Sequence, residues 1–393
     1  MPDLDAAAAE LAAAFPDPWL RAFSLKANDV PAVVARLARA GLGGNVVSRG
    51  EWAAREAGLP NARVTLEGIG KDAADLRAAV RAAAAGDPPR WVAVESAEEL
   101  GALREIAARA GLGRDGRPPL DVLFRLNPDV APETHAGLAV GHGSAKFGMT
   151  ETELTGAVAR LAEDGPLRAR GVHLHVGSQL GAVDAWRDAV RRGLALLAIV
   201  GAGRPGFDTF DVGGGFPVGD PGTVPPPSRF AREVEALLAA LPPDRVPARL
   251  AVEPGRFLVA RAGWLLASVL HVRERPDAER IVVLDAGMTE LIRPALYGAH
   301  HRIVALTSLG RPVEPDGGGG TRARVDGPVC ESTDTFDVHD LPALRRGDLV
   351  AIADAGAYAA SMAMTYNGRP RPPQVLLEAD GTLTLGRRRG GAR

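Results

Sequence analysis

The sequence predicts an α/β fold: a (β/α)8 TIM-type barrel over residues 1–262, followed by an antiparallel β domain of Greek-key or sandwich type over residues 263–393. Two patterns favour this architecture. Eight short, β-prone apolar segments alternate with helical patterns in the first two thirds of the chain, and after residue 262 strand-like runs are separated by loops. A doubly wound open sheet is the alternative, and the count of eight favours the barrel.

The predicted barrel elements follow one another with short connections. Strands are predicted at 22–26, 43–47, 62–66, 91–94, 121–126, 171–176, 208–212 and 249–253. Helical patterns lie at 4–15, 30–40, 50–57, 72–85, 97–110, 151–163, 183–200 and 229–241. Because a helix occupies nearly every gap between strands, neighbouring strands are expected to be parallel.

The remaining chain lacks long helical patterns. Its strand-like runs lie at 264–273, 280–285, 302–306, 321–326, 347–353, 373–378 and 382–385. Asp316 is followed by four glycines, and the segment 316–320 is predicted to be a flexible loop tip. These runs predict the β domain.

Composition excludes several classes of function. The 393 residues carry a net charge of −2, so no nucleic acid or other polyanion is an expected partner. The acidic start is unlike a signal peptide, and the longest apolar run, near 194–200, is too short to span a bilayer. The single cysteine, Cys330, excludes an intrachain disulfide. We therefore expect a cytoplasmic protein that does not bind membranes.

Lysine is rare in this arginine-biased chain. Only Lys26, Lys71 and Lys146 occur among the 46 basic residues. Arginine can replace lysine as a surface charge but cannot form a Schiff base, because its guanidinium stays protonated. Lys26, at the end of the first predicted strand, is therefore a candidate covalent residue; a lysine that merely extends its charge to solvent is the alternative.

The residues that could take part in catalysis or binding cluster where the predicted strands end, which is the catalytic edge of a (β/α)8 barrel. After Lys26, the ends carry Ser48–Glu51, Gly68–Lys71, Glu95–Ser96, Arg125–Pro128, His173–Gln179, Asp211–Phe216 and Glu253–Arg256. Any one of these segments could be an ordinary turn. Their coincidence at all eight strands favours an active site.

Three of these ends predict a pyridoxal 5′-phosphate site. That cofactor needs a lysine for its aldehyde, a cradle for its phosphate and an acid beside its pyridine nitrogen. The triple glycine 213–215 lets backbone N–H groups approach an anion, and Arg256 adds a cation one strand away. Glu253 supplies the acid, and His175 is placed to stack on a ring. A tight turn and a Glu253–Arg256 ion pair are the alternatives. No metal ligand set is predicted.

A series of motifs over residues 22–375 resembles the fold-type III pyridoxal-phosphate decarboxylases, and most closely the diaminopimelate decarboxylase group. The motifs occur in the same order as in that family: Ser24-Leu25-Lys26-Ala27-Asn28, His175-Val176-Gly177-Ser178-Gln179, Gly213-Gly214-Gly215-Phe216, Glu253-Pro254-Gly255-Arg256, Asp285-Ala286-Gly287-Met288, Arg293-Pro294-Ala295-Leu296-Tyr297, Cys330-Glu331-Ser332 and Gly356-Ala357-Tyr358.

The resemblance implies roles for matching positions. Lys26 would bind the cofactor covalently, His175 would stack on its ring, and Glu253 would face its nitrogen. The other implied cofactor-binding residues are Ser178, Gly214, Gly215, Pro254, Gly255, Arg256 and Tyr358. The implied substrate-binding residues are Arg256, Arg293, Tyr297, Glu331 and Tyr358.

Cys330 matches the catalytic proton donor, which in the family comes from the partner subunit. The resemblance therefore implies a homodimer with two shared active sites. A small buried apolar cysteine is the alternative.

Two charged residues point to the substrate. Glu331 can pair with a distal ammonium, and Arg293 can bind a distal carboxylate. Diaminopimelate has both groups, whereas ornithine lacks the carboxylate. The expected reaction is decarboxylation of meso-2,6-diaminopimelate to L-lysine and carbon dioxide, as a step of lysine biosynthesis. The alternatives are a decarboxylase of carboxynorspermidine, ornithine, arginine or a carrier-bound glutamyl group, an amino-acid racemase, or a non-catalytic cofactor-binding homologue.

Several positions depart from the family pattern. Asn45 stands where the family usually has aspartate, Gly68-Ile69-Gly70-Lys71 replaces Gly-Asn-x-Lys, and Thr333 replaces a glycine. Only 25 residues precede Lys26, where the family usually has a further strand that joins the β domain. We expect either that this strand is missing or that the start was assigned late.

Overall fold

The computed structural model describes residues 2–141, 143, 145–220, 222–274, 279–313 and 320–390. Eight parallel strands form a closed barrel, in which β1 pairs with both β2 and β8. Their bounds are β1 Leu20–Ser24, β2 Gly43–Val46, β3 Val64–Leu66, β4 Trp91–Val94, β5 Leu120–Leu126, β6 Leu167–Leu174, β7 Thr209–Asp211 and β8 Arg249–Val252. The predicted barrel is confirmed.

Helices follow most of the strands. They are α1 Pro2–Ala14, α2 Pro31–Arg39, α3 Arg49–Ala53, α4 Ala73–Ala84, α5 Ala97–Arg109, α6 Glu151–Ala159, α7 Asp184–Gly201, α8 Pro227–Ala239, α9 Arg256–Val259 and α10 Arg293–Tyr297. Side chains set several starts: Asp72 and Thr150 form capping boxes on α4 and α6, and Ser96 caps α5.

Aromatic and small residues fix the helix layer to the barrel. Trp186 of α7 contacts Phe230 of α8 edge-on, and Phe230 contacts Phe216 of the β7 loop in the same way. Gly193 lets α7 approach β7 closely, since a Cβ there would lie 2.6 Å from the Phe210 ring. The strands are thereby held in register with their loops.

The second part of the chain contains a six-stranded sheet in the order β11-β14-β9-β10-β12-β13, and a β15-β16 hairpin. The strands are β9 Leu265–Arg273, β10 Arg280–Leu284, β11 Ile303–Leu306, β12 Thr321–Asp326, β13 Thr335–Leu341, β14 Leu349–Ile352, β15 Gln374–Leu377 and β16 Leu383–Arg387. The pairing is antiparallel except between β10 and β12. Val282, Val325 and Val350 lie in its core.

The chain divides into two compact units. The barrel unit comprises Asp5–Lys26 and Pro31–Phe257, and the β unit contains the chain from Leu258 onward together with Met1–Leu4 and Ala27–Val30. Asn28 fixes that short segment by donating a hydrogen bond from Nδ2 to the Gly356 carbonyl (2.9 Å). The glycine-rich loop predicted at 316–320 lies, apart from Gly320, outside the described residues.

Among the residues that the structure describes, no helix is long and apolar enough to cross a membrane.

Candidate active site

Lys26 lies two residues past the end of β1, in the short 3-10 turn Leu25–Ala27, and is half-buried. The end of β1 is tied to the turn after β8, because the Ser24 N–H donates to the Pro254 carbonyl (2.9 Å). Barrel closure thus places Lys26 beside the Glu253–Arg256 turn, at the edge where the sequence predicted the chemistry.

The glycine loop after β7 is packed too tightly for side chains. A Cβ on Gly214 would lie 2.1 Å from the Glu253 carbonyl oxygen, and one on Gly215 would lie 2.5 Å from that of Gly177. Gly215 also has a φ of 104°. The Glu253 N–H donates to the Gly213 carbonyl (2.8 Å), so the loop lies directly against the β8 end. Because these glycines carry no side chains, an anion could approach the loop backbone closely.

A cation and a hydroxyl lie beside this loop. Arg256 is buried, and its Nη2 donates to Ser178 Oγ at 3.1 Å. Gln179 holds the loop after β6, because its side chain exchanges hydrogen bonds with the Val218 backbone. Backbone N–H groups, a guanidinium and a hydroxyl are the donors that phosphate prefers. The residues at these strand ends therefore fit a phosphate group.

The imidazole ring of His175 is uncharged and is held in one orientation by a hydrogen bond. The Gly214 N–H donates to His175 Nδ1 (3.2 Å), so that nitrogen is an acceptor. Burial lowers the pKa of His175 well below 6.5, and the charges of Lys26 and Arg125 lower it further. A neutral imidazole held in this way is able to stack on a planar ring.

A cluster of acids lies buried inside the barrel around Glu253. Asn45 Nδ2 donates to Glu253 Oε1 at 2.7 Å. On the other side, His173 Nε2 lies 3.6 Å from Glu253 Oε2 and 3.3 Å from Glu67 Oε2. Asp211 is fully buried nearby and accepts from the Gly213 N–H (2.9 Å). Glu67 begins the turn after β3, and sequence reasoning did not identify it.

Burial and mutual repulsion keep most of this cluster uncharged. Burial, followed by the Glu253 charge, raises the pKa of Glu67 to about 8. The same two causes raise the pKa of Asp211 well above 3.8. Burial lowers the pKa of His173 to about 4, although Glu67 opposes this shift. Glu67 is thus largely protonated at neutral pH and can donate a hydrogen bond, whereas His173 is neutral.

A second buried network accounts for Lys71. Lys71 Nζ pairs with Glu99 at 3.0 Å, and Arg125 pairs with Glu95 at 2.5 Å. Burial would raise the pKa of Glu95, but Arg125 and Lys71 outweigh it and hold this pKa below 4.5. Lys71 is therefore committed to an ion pair, and Lys146 is exposed beside Phe147. Lys26 stays the lysine that the sequence predicts for covalent chemistry.

The predicted substrate residues lie in the β unit. Arg293 and Tyr297 begin and end α10, and Arg293 Nη1 lies 3.0 Å from His301 Nε2. Cys330 and Glu331 are exposed on one loop, where Glu331 accepts from the Tyr366 hydroxyl (2.9 Å).

Two anchors fix the backbone around these residues. Asp334 accepts from the N–H groups of Met288 (2.6 Å) and Val329 (2.7 Å), so it ties the Cys330 loop to the turn before α10. Tyr358 has a φ of 59°, and its N–H donates to the Ala27 carbonyl (2.8 Å). Ala27 directly follows Lys26 in the chain.

The structure thus brings one group of the predicted residues together at the barrel edge: Lys26, His175, Ser178, Gly214, Gly215, Glu253, Pro254, Gly255 and Arg256. The others, Arg293, Tyr297, Cys330, Glu331 and Tyr358, belong to the β unit. The alternation of Thr65 and Glu67 at the end of β3 was the available signal for Glu67, because alternate residues of a strand share one face.

Comparison with known proteins agrees with this geometry. Residues 2–260 match the pyridoxal binding domain of the pyridoxal-dependent decarboxylases. Diaminopimelate decarboxylase of Zymomonas mobilis is 34% identical over 371 residues, which cover 94% of this chain and 83% of that protein. The enzyme of Aquifex aeolicus is 34% identical over 96% of this chain and 84% of its own length.

Solved structures extend the likeness to the whole fold. Diaminopimelate decarboxylase of Helicobacter pylori, solved in complex with L-lysine, superposes with a TM-score of 0.88 at 30% identity, covering 100% of this chain and 93% of that one. The chain therefore belongs to the pyridoxal-dependent decarboxylases and, within them, to the family of the diaminopimelate decarboxylases.

Proposed function

We propose that this protein uses pyridoxal 5′-phosphate to decarboxylate meso-2,6-diaminopimelate to L-lysine and carbon dioxide. The main support is 34% identity to diaminopimelate decarboxylases along nearly the whole chain. The arrangement of Lys26, His175 and Glu253 at the barrel edge adds chemical support, because these residue types match what the cofactor needs.

The cofactor site would use the residues at the β6, β7 and β8 ends. The backbone of Gly215 and Gly255 would hold the phosphate, with Ser178, Arg256 and Tyr358, while the Gly214 N–H orients the His175 ring beside the cofactor. Pro254 shapes the turn between Glu253 and Gly255. A Cβ on Gly214 would displace the Glu253 carbonyl, so the cradle depends on glycine. Lys26 supplies the amine for the aldehyde.

Bound pyridoxal phosphate supplies an electron sink for the pair released when the α-carboxyl group leaves. Glu253 would face the pyridine nitrogen and keep a proton on it. His175, neutral and fixed by Gly214, provides a flat apolar surface against the ring. A proton then replaces the lost carboxyl group on Cα.

Cys330 would deliver that proton across a dimer interface. It is exposed in the single chain, as a residue that serves a partner subunit must be. Arg293, Arg256, Tyr297, Glu331 and Tyr358 would bind the substrate, with Glu331 reading the distal ammonium and Arg293 the distal carboxylate. The active form would be a homodimer, and the lone cysteine is typical of a cytoplasmic protein.

The substrate assignment predicts release of carbon dioxide from meso-diaminopimelate, with lysine as product. Purified protein with pyridoxal phosphate would be offered diaminopimelate, ornithine, arginine and carboxynorspermidine separately. Glu331→Ala is expected to lower kcat/KM for diaminopimelate about tenfold or more, because a charged hydrogen bond is lost, while pyridoxal phosphate still binds. Glu274→Ala, at an exposed residue of the β unit, is the control. Equal rates on ornithine and diaminopimelate would contradict the assignment.

The cofactor cradle predicts that Gly214→Ala weakens pyridoxal phosphate binding about tenfold or more, because the added Cβ must push the Glu253 carbonyl away. Gly70→Ala is the matched control, since its Cβ would meet nothing within 4 Å. Absorbance titration of the cofactor-free protein measures both affinities. Equal affinity of the two variants would show that the β7 loop does not hold the cofactor.

The shared active site predicts complementation. Lys26→Ala and Cys330→Ala are each expected to be nearly inactive as homodimers. After the two variants are unfolded and refolded together, half of the dimers are mixed, and each mixed dimer has one intact site. Activity should therefore recover to roughly a quarter of the wild-type value. No recovery, with mixed dimers present by native mass spectrometry, would mean that each site is built from one chain.

A further inference from the structure

Glu67 is one of two buried acids beside Glu253, with Asp211, that the cofactor chemistry leaves without a role. It lies at the β3 end, its side chain is 4% exposed, and its carboxyl oxygen Oε2 lies 3.3 Å from His173 Nε2. Its other oxygen, Oε1, is buried with no hydrogen-bond partner among the described residues. A buried acid in such a position is costly unless it is protonated or paired.

The position of Glu67 is connected to that of Asn45. The two strands pair with Asn45 opposite Thr65, and Glu67 lies two residues further along the same face. Asn45 donates to one oxygen of Glu253 at 2.7 Å, while Glu67 and His173 lie on the side of the other oxygen. Asn45 also stands where the family usually has aspartate, and Glu67 is an acid that directly follows the neighbouring strand β3.

We propose that Glu67 is a positioning residue that keeps a proton among the buried acids and, together with Asn45, holds the Glu253 carboxylate toward the pyridine nitrogen, in place of the aspartate usual at position 45. The proposal rests on the function proposed above for Glu253. It assigns one negative charge to the cluster, on Glu253, with Asn45 and the Glu67 carboxyl group as donors on either side.

The surroundings of Glu67 support a retained proton. Glu253 from the β8 end and Asp211 from β7 are acids, so a charge on Glu67 would be repelled. His173 from β6 is neutral. The charged groups beyond His173 are Lys26 after β1, Glu95 after β4 and Arg125 on β5, where the latter two neutralise each other in an ion pair. Burial and these acids raise the pKa of Glu67 to about 8.

The first test is the pH dependence of thermal unfolding of the full-length, cofactor-free protein. The pKa of Glu67 is about 8 when folded and about 4.5 when unfolded, so its stabilising contribution is full below pH 4.5 and is lost progressively as the pH rises to about 8. Glu67→Gln keeps the size and an N–H donor but cannot ionise. Its Tm should therefore rise relative to wild type between pH 5.5 and 8.5.

Glu98→Gln is the control for this measurement, because Glu98 is exposed on α5. Its Tm should run parallel to that of the wild type at every pH. A Glu67→Gln profile that also runs parallel to the wild type would overturn the proposal, since Glu67 would then be ionised or not titrate in this range.

The second test is pyridoxal phosphate affinity at pH 7. Glu67→Gln should bind within about threefold of wild type, whereas Glu67→Leu, which has no donor, should bind about tenfold or more weakly. Asn45→Asp should weaken binding strongly in the wild-type background, where it adds an acid, and much less beside Glu67→Gln. Additive effects of these two changes would contradict the proposed link between positions 45 and 67.

These readouts separate the two proposals. Neither the pH dependence of the Tm nor the cofactor affinity requires a substrate. Wild-type protein that binds the cofactor, together with the predicted results for the variants, would therefore support the role of Glu67 even if diaminopimelate were not decarboxylated. If diaminopimelate is decarboxylated but Glu67→Gln and Glu67→Leu bind pyridoxal phosphate with the same affinity, only the role of Glu67 is overturned. Stoichiometric Zn²⁺ in the purified protein, held by Glu67, His173 and Glu253, would also overturn it, because a cation would take the place of the proton.

Discussion

The burial of the Glu253 carboxyl group is the constraint on which the site depends. A buried carboxylate is stable only when donors surround it. Asn45 supplies one donor across the barrel at 2.7 Å, and the acids nearby have raised pKa values that keep their protons available. The strand ends are therefore linked electrostatically as well as by the sheet.

Barrel closure turns this constraint into a cofactor site. Because β1 pairs with β8, the residues that follow these strands are neighbours in space although 227 positions separate Lys26 from Glu253. The glycine loop after β7 then lies against the β8 end, at distances that only glycine permits. Barrel closure and this close packing explain why the glycine loop after β7 occurs together with Glu253.

Much of this arrangement could be predicted from local sequence. The alternation of apolar strands and helices predicted the barrel, and the polar residues at the strand ends predicted Lys26, His175 and Glu253 as a group, because strand ends of a parallel barrel converge. The strand β13 was not predicted, since Asp337, His339 and Asp340 make Thr335–Leu341 read as a polar loop. Its buried residues are Phe336, His339 and Leu341, so even the folded strand has no regular period of two.

The electrostatic part of the site could not be predicted in the same way. Asn45 was recognised as unusual, but its consequence depends on Glu67, which reads as the first residue of an ordinary turn. The pairing of β2 with β3 makes the two residues neighbours, and the raised pKa of Glu67 arises from burial and from Glu253 on a third strand. This pKa shift arises only when the barrel is folded, so no single segment of the sequence predicts it.

The central claim is that Lys26 binds the cofactor covalently at this barrel edge. The most direct measurement is borohydride reduction of the protein with pyridoxal phosphate, followed by peptide mass spectrometry to locate the pyridoxyl label. With only three lysines in the chain, the result is unambiguous. We expect the label on Lys26 alone. A label on Lys71 or Lys146, or no label in protein that has bound the cofactor, would contradict the account.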